Sequence, residues 1–344
     1  MLAPERGVGA LWRRIVAFVI DGLVLCLAGI LIGVPFFETL SSLGAWGSLV
    51  GFCLALPYFA ILNSKIGNGQ TLGKRLMHIK VVDRNGSTIP FWKSVARYVV
   101  LAVPYFLNGI RLPITRTPWA VFIMVSIIVF GVGGASLYLV VFNRHTRQGL
   151  HDLAAGSYVA DADEDGALRI EPTWHFHWVI LAAVLLIGFV ATGVLSNKLA
   201  QWGTFPQLLE DVRVVEGIDG VQVAGVQDLN TRNFSSGGKK RTLVISVYWA
   251  GKSSIGLALW GRRLQNFKES WAEKQPVADS VARLIIEHDP TVKEHDSLKV
   301  VVIRGYDIGI AHAQISYFYE HTPAEWNTRL FGASPPDQQV PNEL

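Results

Sequence analysis

Apolar residues in this chain gather into long runs up to about residue 196 and thin into short alternating stretches after it. The run over 15–37 is interrupted only by Asp21. Runs over 46–62, 119–142 and 178–195 follow, each opening with or flanked by a Trp, as residues at a bilayer interface do. At about 1.5 Å per residue, roughly 20 apolar residues cross about 30 Å of hydrocarbon, so these runs read as transmembrane helices. A cleaved signal peptide is the rival for the first, but an acid in its core and the lack of a small-x-small cleavage site argue against it. The segment 98–110 is apolar, contains Pro104 and is too short to cross comfortably, so it reads as a half span or an interfacial helix, with a full span the alternative.

Past residue 196 the periodicity changes. Thr242–Trp249, Leu298–Arg304 and 308–319 predict strands, the last placing Ala311, Ala313, Ile315, Tyr317 and Tyr319 on one face. Residues 277–288 predict a helix, with Pro276 near its start and Asp289-Pro290 past its end. Thr322-Pro323-Ala324-Glu325 is a capping box with Pro at the first helical position. Leu257, Trp260, Leu264, Phe267 and Trp271 recur at helical spacing and read as a core stripe. The expected fold is an α-helical polytopic membrane domain followed by a transmembrane helix and an α+β soluble domain. Its parts are a membrane domain over 1–160, an acidic linker over 161–177, a span over 178–195, the soluble domain over 200–333 and a disordered tail over 334–344.

Composition agrees with that division. Half of the 344 residues are hydrophobic, 17% are charged, and the mean hydropathy is +0.32. Residues 1–196 carry 15 Lys and Arg against 10 Asp and Glu, while 197–344 carry 16 against 17. The basic excess therefore lies in the apolar half, which suits an anionic leaflet and not a nucleic-acid groove. Cys26 and Cys53 both lie in apolar runs, so neither a disulfide scaffold nor a cysteine zinc site is available.

Orientation follows from the basic residues. Arg6, Arg13 and Arg14 precede the first run, and 63–97 holds Lys65, Lys74, Arg75, Lys80, Arg84, Lys93 and Arg97 against Asp83 alone, so both are expected in the cytoplasm. Residues 77–82 and 157–160 have strand composition, with Asn85-Gly86 as a turn signal. If they pair, both lie on one side, 98–110 crosses, and residues 197–344 emerge outside. If 98–110 never crosses, the C-terminal domain stays cytoplasmic.

Asp21 lies six residues into the first run, roughly 9 Å deep, where an uncompensated acid costs about 2.5–3.5 kcal/mol. Arg14 shares its helical face but is two turns away, so the partner is expected from elsewhere, with Arg97 one candidate. The alternatives are a cation or proton site and a sealed structural group. The loop from Gly67 to Arg75 resembles a phosphate-binding loop only superficially, because Asn68 and Arg75 stand where a Gly and a Ser or Thr are required. Asn143 to Asp152 holds Arg144, His145, Arg147, His151 and Asp152 directly after a span. It lacks a nucleophile and any recognised metal spacing, so it reads first as a polar cluster at the membrane interface. His288, His295, His312 and His321 are scattered, and no hydrolase, kinase or dehydrogenase signature is present. No enzyme and no cofactor are expected. Gly29 with Gly33, and Gly47 with Gly51, have the spacing that lets helices approach closely, within the chain or between copies.

Three blocks in order resemble the bacterial RDD family of membrane proteins: Arg13-Arg14-Ile15-Val16-Ala17-Phe18-Val19-Ile20-Asp21-Gly22; Gly69-Gln70-Thr71-Leu72-Gly73-Lys74-Arg75 with Val81-Val82-Asp83 and Arg97; and Arg147-Gln148-Gly149-Leu150-His151-Asp152-Leu153-Ala154-Ala155-Gly156. The resemblance covers about residues 8–160. It implies a multi-pass protein of the bacterial inner membrane, with Arg14, Asp21 and Asp152 as the family's arginine and aspartates and transport as the usual suggestion. The segment 108–119 and everything from the last span onward depart from it. The expectation is a protein that moves or senses a small cation or solute, with Arg14, Asp21, Arg97 and Asp152 as its polar site and Lys74, Arg75, Asp83, Arg147 and His151 in support. The alternative is a membrane-anchored scaffold displaying a binding domain to a protein partner.

Overall fold

The computed structural model describes residues 7–164, 166–168, 174–199, 201, 203–232, 238–250 and 266–332. The stripe residues Leu257, Trp260 and Leu264, and the tail from residue 333, lie outside these; the side chains of Phe267 and Trp271 do too.

Among the described residues, three helical stretches are long and apolar enough to cross a membrane: 11–33, 37–62 and 119–142. The first, α1 (Leu11–Gly33), begins four residues before the apolar run because Trp12, Arg13 and Arg14 are themselves helical. It stops at Gly33, and the chain turns into the short α2 (Phe37–Leu43) before α3 (Gly47–Leu62), which contains Pro57. After a tight loop come α4 (Leu72–Leu76) and β1 (Ile79–Val82). The segment 98–110 is the second half of an 18-residue helix, α5 (Phe91–Asn108). Its first turns, with Lys93, Ser94 and Arg97, are too polar to register as a run. The stretch 119–142 is one continuous rod: α6 (Trp119–Ser126), a π-helical segment (Ile127–Gly133) and α7 (Gly134–Phe142). The short α8 (Leu150–Ala155) ends at Gly156, which adopts φ 61°, and leads into β2 (Tyr158–Asp161). Helix α9 (Phe176–Leu199) follows.

Strands β1 and β2 pair antiparallel, Ile79 with Asp161 through Val82 with Tyr158, at the end of the bundle where α1 begins. Arg13 binds Asp161 at 2.7 Å there, and the Gly9 amide donates to the Val159 carbonyl. Part of the acidic stretch is packed against this small sheet: the Leu168 amide donates to the Arg84 carbonyl, and the Leu168 side chain is buried with Val82 and Ala160.

The C-terminal region is a four-stranded sheet in the order β3-β4-β5-β6, with β3 (Val221–Arg232), β4 (Lys239–Trp249), β5 (Ser297–Asp307) and β6 (His312–His321). Helices α10 (Phe205–Glu216), α11 (Asn266–His288) and α12 (Pro323–Phe331) cover one face. Leu243, Ile245, Val247, Leu298, Val300 and Val302 meet Val281, Ala282, Ile285 and Trp326 in its core. Strands β4 and β5 run parallel, as a connection carrying a helix allows. The capping box at Thr322 forms as expected, with both reciprocal hydrogen bonds present. Thr322→Ala should therefore cost about 1 kcal/mol, readable as a lower melting temperature of the full chain.

Three details differ from the sequence pattern. Strand β3 escapes it because much of that edge strand is exposed and polar. Helix α11 starts at Asn266 and runs through Pro276. Residues 308–311 are a turn and not part of a strand: Gly309 adopts φ 77°, and the Ile308 amide donates to the Ala311 carbonyl.

That turn joins the two regions. Ala311 lies against Gly29 and Tyr306 against Gly33 on α1, while the backbone of Asp307 and Ile308 lies on Gly47 and Gly51 of α3. Phe106 of α5 packs on Gly309, and the Tyr105 hydroxyl donates to the Gly309 carbonyl at 3.1 Å. Ile308 is wholly buried. The small-residue pairs thus receive the sheet domain's own turn, at the end of the bundle opposite to β1 and β2. Arg304 pairs with Glu38, and the Gln222 side-chain Nε2 donates to the carbonyls of Ser41 and Ser42.

Candidate functional site

Buried residues of α1 recur at every fourth position: Ala17, Asp21, Leu25, Gly29 and Gly33. This spacing puts the acid on the stripe facing the other helices. Asp21 is 1% exposed and its carboxylate is surrounded by donors. The Tyr58 hydroxyl from α3 donates to Oδ1 at 2.7 Å, the Thr71 hydroxyl to Oδ2 at 2.6 Å, and the Gly73 amide to Oδ1 at 2.8 Å. The last contact requires a glycine, because a Cβ at position 73 would overlap the Ala17 carbonyl. The loop reaches the acid through Asn68 and Gly69, both at positive φ, which turn the backbone back beneath α3. Thr71 also caps α4, accepting from the Lys74 amide, so the positive end of that short helix faces Asp21.

Lys74 turns inward as well. Its ammonium donates to Asn63 Oδ1 at 2.8 Å and reaches Thr71 Oγ1 at 3.5 Å, which links it through one hydroxyl to Asp21. Burial of the ammonium, followed by the charge of Arg97, pushes its pKa down to about 7, although Asp21 and Asp152 pull the other way.

The second acid is also enclosed. Arg97 Nε donates to Asp152 Oδ1 at 2.8 Å, His151 Nε2 lies 3.3 Å from Oδ2, and the Ser157 hydroxyl donates to Oδ1 at 3.1 Å. Burial alone would raise this carboxyl, but Arg97, His151 and Arg14 outweigh it and hold the group well below the usual carboxylate range. The same burial pushes the His151 imidazole below its ordinary value. Among the described residues Arg14 binds no carboxylate directly: it donates to the Arg147 carbonyl at 2.5 Å and the Val159 carbonyl at 2.9 Å, tying α1 to the loop after α7 and to β2. Three cations, Arg14, Lys74 and Arg97, thus share one layer with two carboxylates, Asp21 and Asp152.

The expected partnership of Arg97 with Asp21 is not formed. Arg97 lies near the start of α5, which packs on α8, so it meets Asp152, while Asp21 takes neutral donors from α3 and the loop. Lys74 moves from a supporting position to the centre of the site. Arg75 is exposed, Asp83 closes a turn by accepting the Asn85 and Ser87 amides, and Arg147 contributes its carbonyl. No grouping of three or more metal-ligating side chains occurs among the described residues. Sequence reasoning missed Tyr58, Asn63, Thr71, Gly73 and Ser157. Tyr58 is a polar group inside an apolar run, and Thr71 and Gly73 belong to the second motif block; these were the available signals.

The arrangement of Arg14, Asp21, the Gly69–Arg75 loop and Asp152 on one helical unit agrees with the comparison to protein families. Residues 8–156 match the RDD family. No curated protein and no solved structure matches the chain. The RDD match ends at Gly156, so α9 and the sheet domain lie beyond it. Both acids, the Arg97 ion pair and Lys74 fall within the RDD-matching region. The match and the apolar helices together make this an integral membrane protein.

Proposed function

We propose that the RDD-matching region exchanges a proton on Lys74 for a small cation at Asp21. The supporting observation is the chain from the Lys74 ammonium through Thr71 to the Asp21 carboxylate. Below about pH 7 the ammonium is a tethered cation beside the acid. Above it the neutral amine leaves the carboxylate uncompensated among the oxygens of Tyr58, Asn63 and Thr71, a donor set suited to a hard cation. Cation entry and protonation of Lys74 then exclude each other, which couples the two.

The expected orientation has β1, β2 and the loop 63–97 in the cytoplasm, by their basic residues, and the sheet domain at the opposite end, outside. The membrane is that of a bacterial cell, as the family resemblance implies.

Purified full-length protein in weak buffer at pH 7.5 should release protons on addition of sodium or potassium chloride but not choline chloride. Asp21→Asn should abolish the response, and Lys74→Met should bind the cation without releasing a proton. The melting temperature gives a second readout. A lysine held near 7 when folded and near 10.4 when unfolded makes stability rise as pH increases between those values, and Lys74→Met should flatten that rise. If no alkali cation releases protons, and Asp21→Asn is only less stable, exchange is refuted. The scaffold reading then stands, favoured by the firm seating of the sheet domain on α1, α3 and α5.

A further inference from the structure

The link 109–118 joins the end of α5 to the start of α6, beside the exposed Trp119, which puts Arg111 and Arg116 at headgroup depth. A cavity of about 320 Å³ opens there between the two regions, lined by Trp46, Arg111 and Arg116 on one side and Gln222, Tyr248 and Asp307 on the other. Leu43 and Trp46 also border a second space, an apolar trough of about 470 Å³ that continues over Leu49, Val50, Cys53 and Leu54. From Trp46 to Leu54 the helix advances about 12 Å, from headgroup depth into hydrocarbon.

Among the described residues, both guanidinium groups keep most of their capacity. A guanidinium has five N–H donors. Arg111 stacks 4.6 Å from the Tyr248 ring centre and lies 3.8 Å from Asp307, while Arg116 donates to the Glu216 carbonyl at 3.3 Å. Glu216 is engaged by the Ile114 and Thr115 amides and the Thr115 hydroxyl, and Asp307, whose Oδ2 faces Arg111, shares its charge with the Gly309 amide through Oδ1.

We propose that this junction binds one anionic phospholipid, its phosphate on Arg111 and Arg116 and an acyl chain in the trough along α3. Arginine matches phosphate with paired charge-assisted hydrogen bonds. A soluble anion would fill the polar chamber alone, whereas the chamber shares Leu43 and Trp46 with an apolar groove of the right depth for a tail. Because the chamber walls come from both regions, the lipid clamps the sheet domain to the bundle.

The test uses delipidated full-length protein in detergent, with phosphatidylglycerol, phosphatidylcholine and inorganic phosphate as probes, read by native mass spectrometry and by melting temperature. Phosphatidylglycerol should bind one per chain and raise the melting temperature. The double variant Arg111→Gln/Arg116→Gln should weaken it by about 10- to 100-fold, the loss expected for charge-assisted hydrogen bonds worth roughly 1.5–3 kcal/mol. Leu49→Trp, on an already exposed position, should block the lipid by filling the trough while leaving the arginines intact. Equal stabilisation by inorganic phosphate would make this a free-anion site and overturn the proposal. So would phosphatidylglycerol binding that is unchanged in both variants, which would mark the lipid as unspecific. None of these readouts involves Asp21 or Lys74, so the outcome is independent of cation exchange.

Discussion

Arg97→Ala should destabilise the helical region by about 3–5 kcal/mol, the loss found when one partner of a buried ion pair is removed. The Asp152 carboxylate is 1% exposed, and Arg97 is its nearest guanidinium, so the variant leaves a negative charge enclosed with His151 and Ser157 in contact and Arg14 as the remaining guanidinium acting on it. Denaturant unfolding of the purified protein would measure the loss. The combination Arg97→Met with Asp152→Leu should recover much of it, because paired removal leaves no orphaned charge. The pH dependence has a definite sign. A carboxyl held well below its unfolded value contributes stability that is complete above about pH 4 and lost as pH falls through the folded value. The Arg97–Asp152 contribution is therefore constant around neutrality, where Lys74 titrates, and the two networks can be separated by pH alone.

Gly51→Val is the second large effect expected. A Cβ at this position would overlap the Ile308 carbonyl and meet the Phe106 ring at 3.1 Å, and the obstacle is backbone, which cannot swing aside. Overpacking a core usually costs about 1–3 kcal/mol, but here relief requires lifting the whole turn from the bundle. The expected result is a protein that still inserts, with the 305–311 segment newly open to proteolysis and to hydrogen exchange. Gly22→Ala serves as the control, since nothing lies within 4 Å of a Cβ there and an alanine favours the helix. If Gly51→Val leaves protection at Ile308 unchanged, the turn is not held as described.

The long apolar helices, the strand pair around Asn85-Gly86, the capping box at Thr322 and the burden carried by Asp21 were all legible in the linear chain. The helices, the cap and the acid's cost depend on local periodicity, on cap chemistry or on one acid in hydrocarbon, whereas the two strands were legible only as segments and their pairing, Ile79 with Asp161, joins distant parts of the chain. Residues 8–156 also carried their resemblance in three short blocks, because a loop that must fold under a helix to reach Asp21 tolerates few residue types at Gly69, Thr71 and Gly73. What the tertiary structure decided is which groups meet. Arg97 went to Asp152 because the start of α5 lies on α8, and Asp21 received neutral donors from a loop 50 residues away, a pairing no spacing encodes. The glycine pairs accepted a turn from residues 306–311 and not another helix, since small-residue spacing reports a surface that permits close approach without naming what approaches. Edge strand β3 and the turn at Gly309 depended in the same way on packing and on one positive φ. Hydrophobic pattern is a property of one segment against its solvent, whether water or lipid, whereas partnership is a property of two segments, and only the folded chain brings them together.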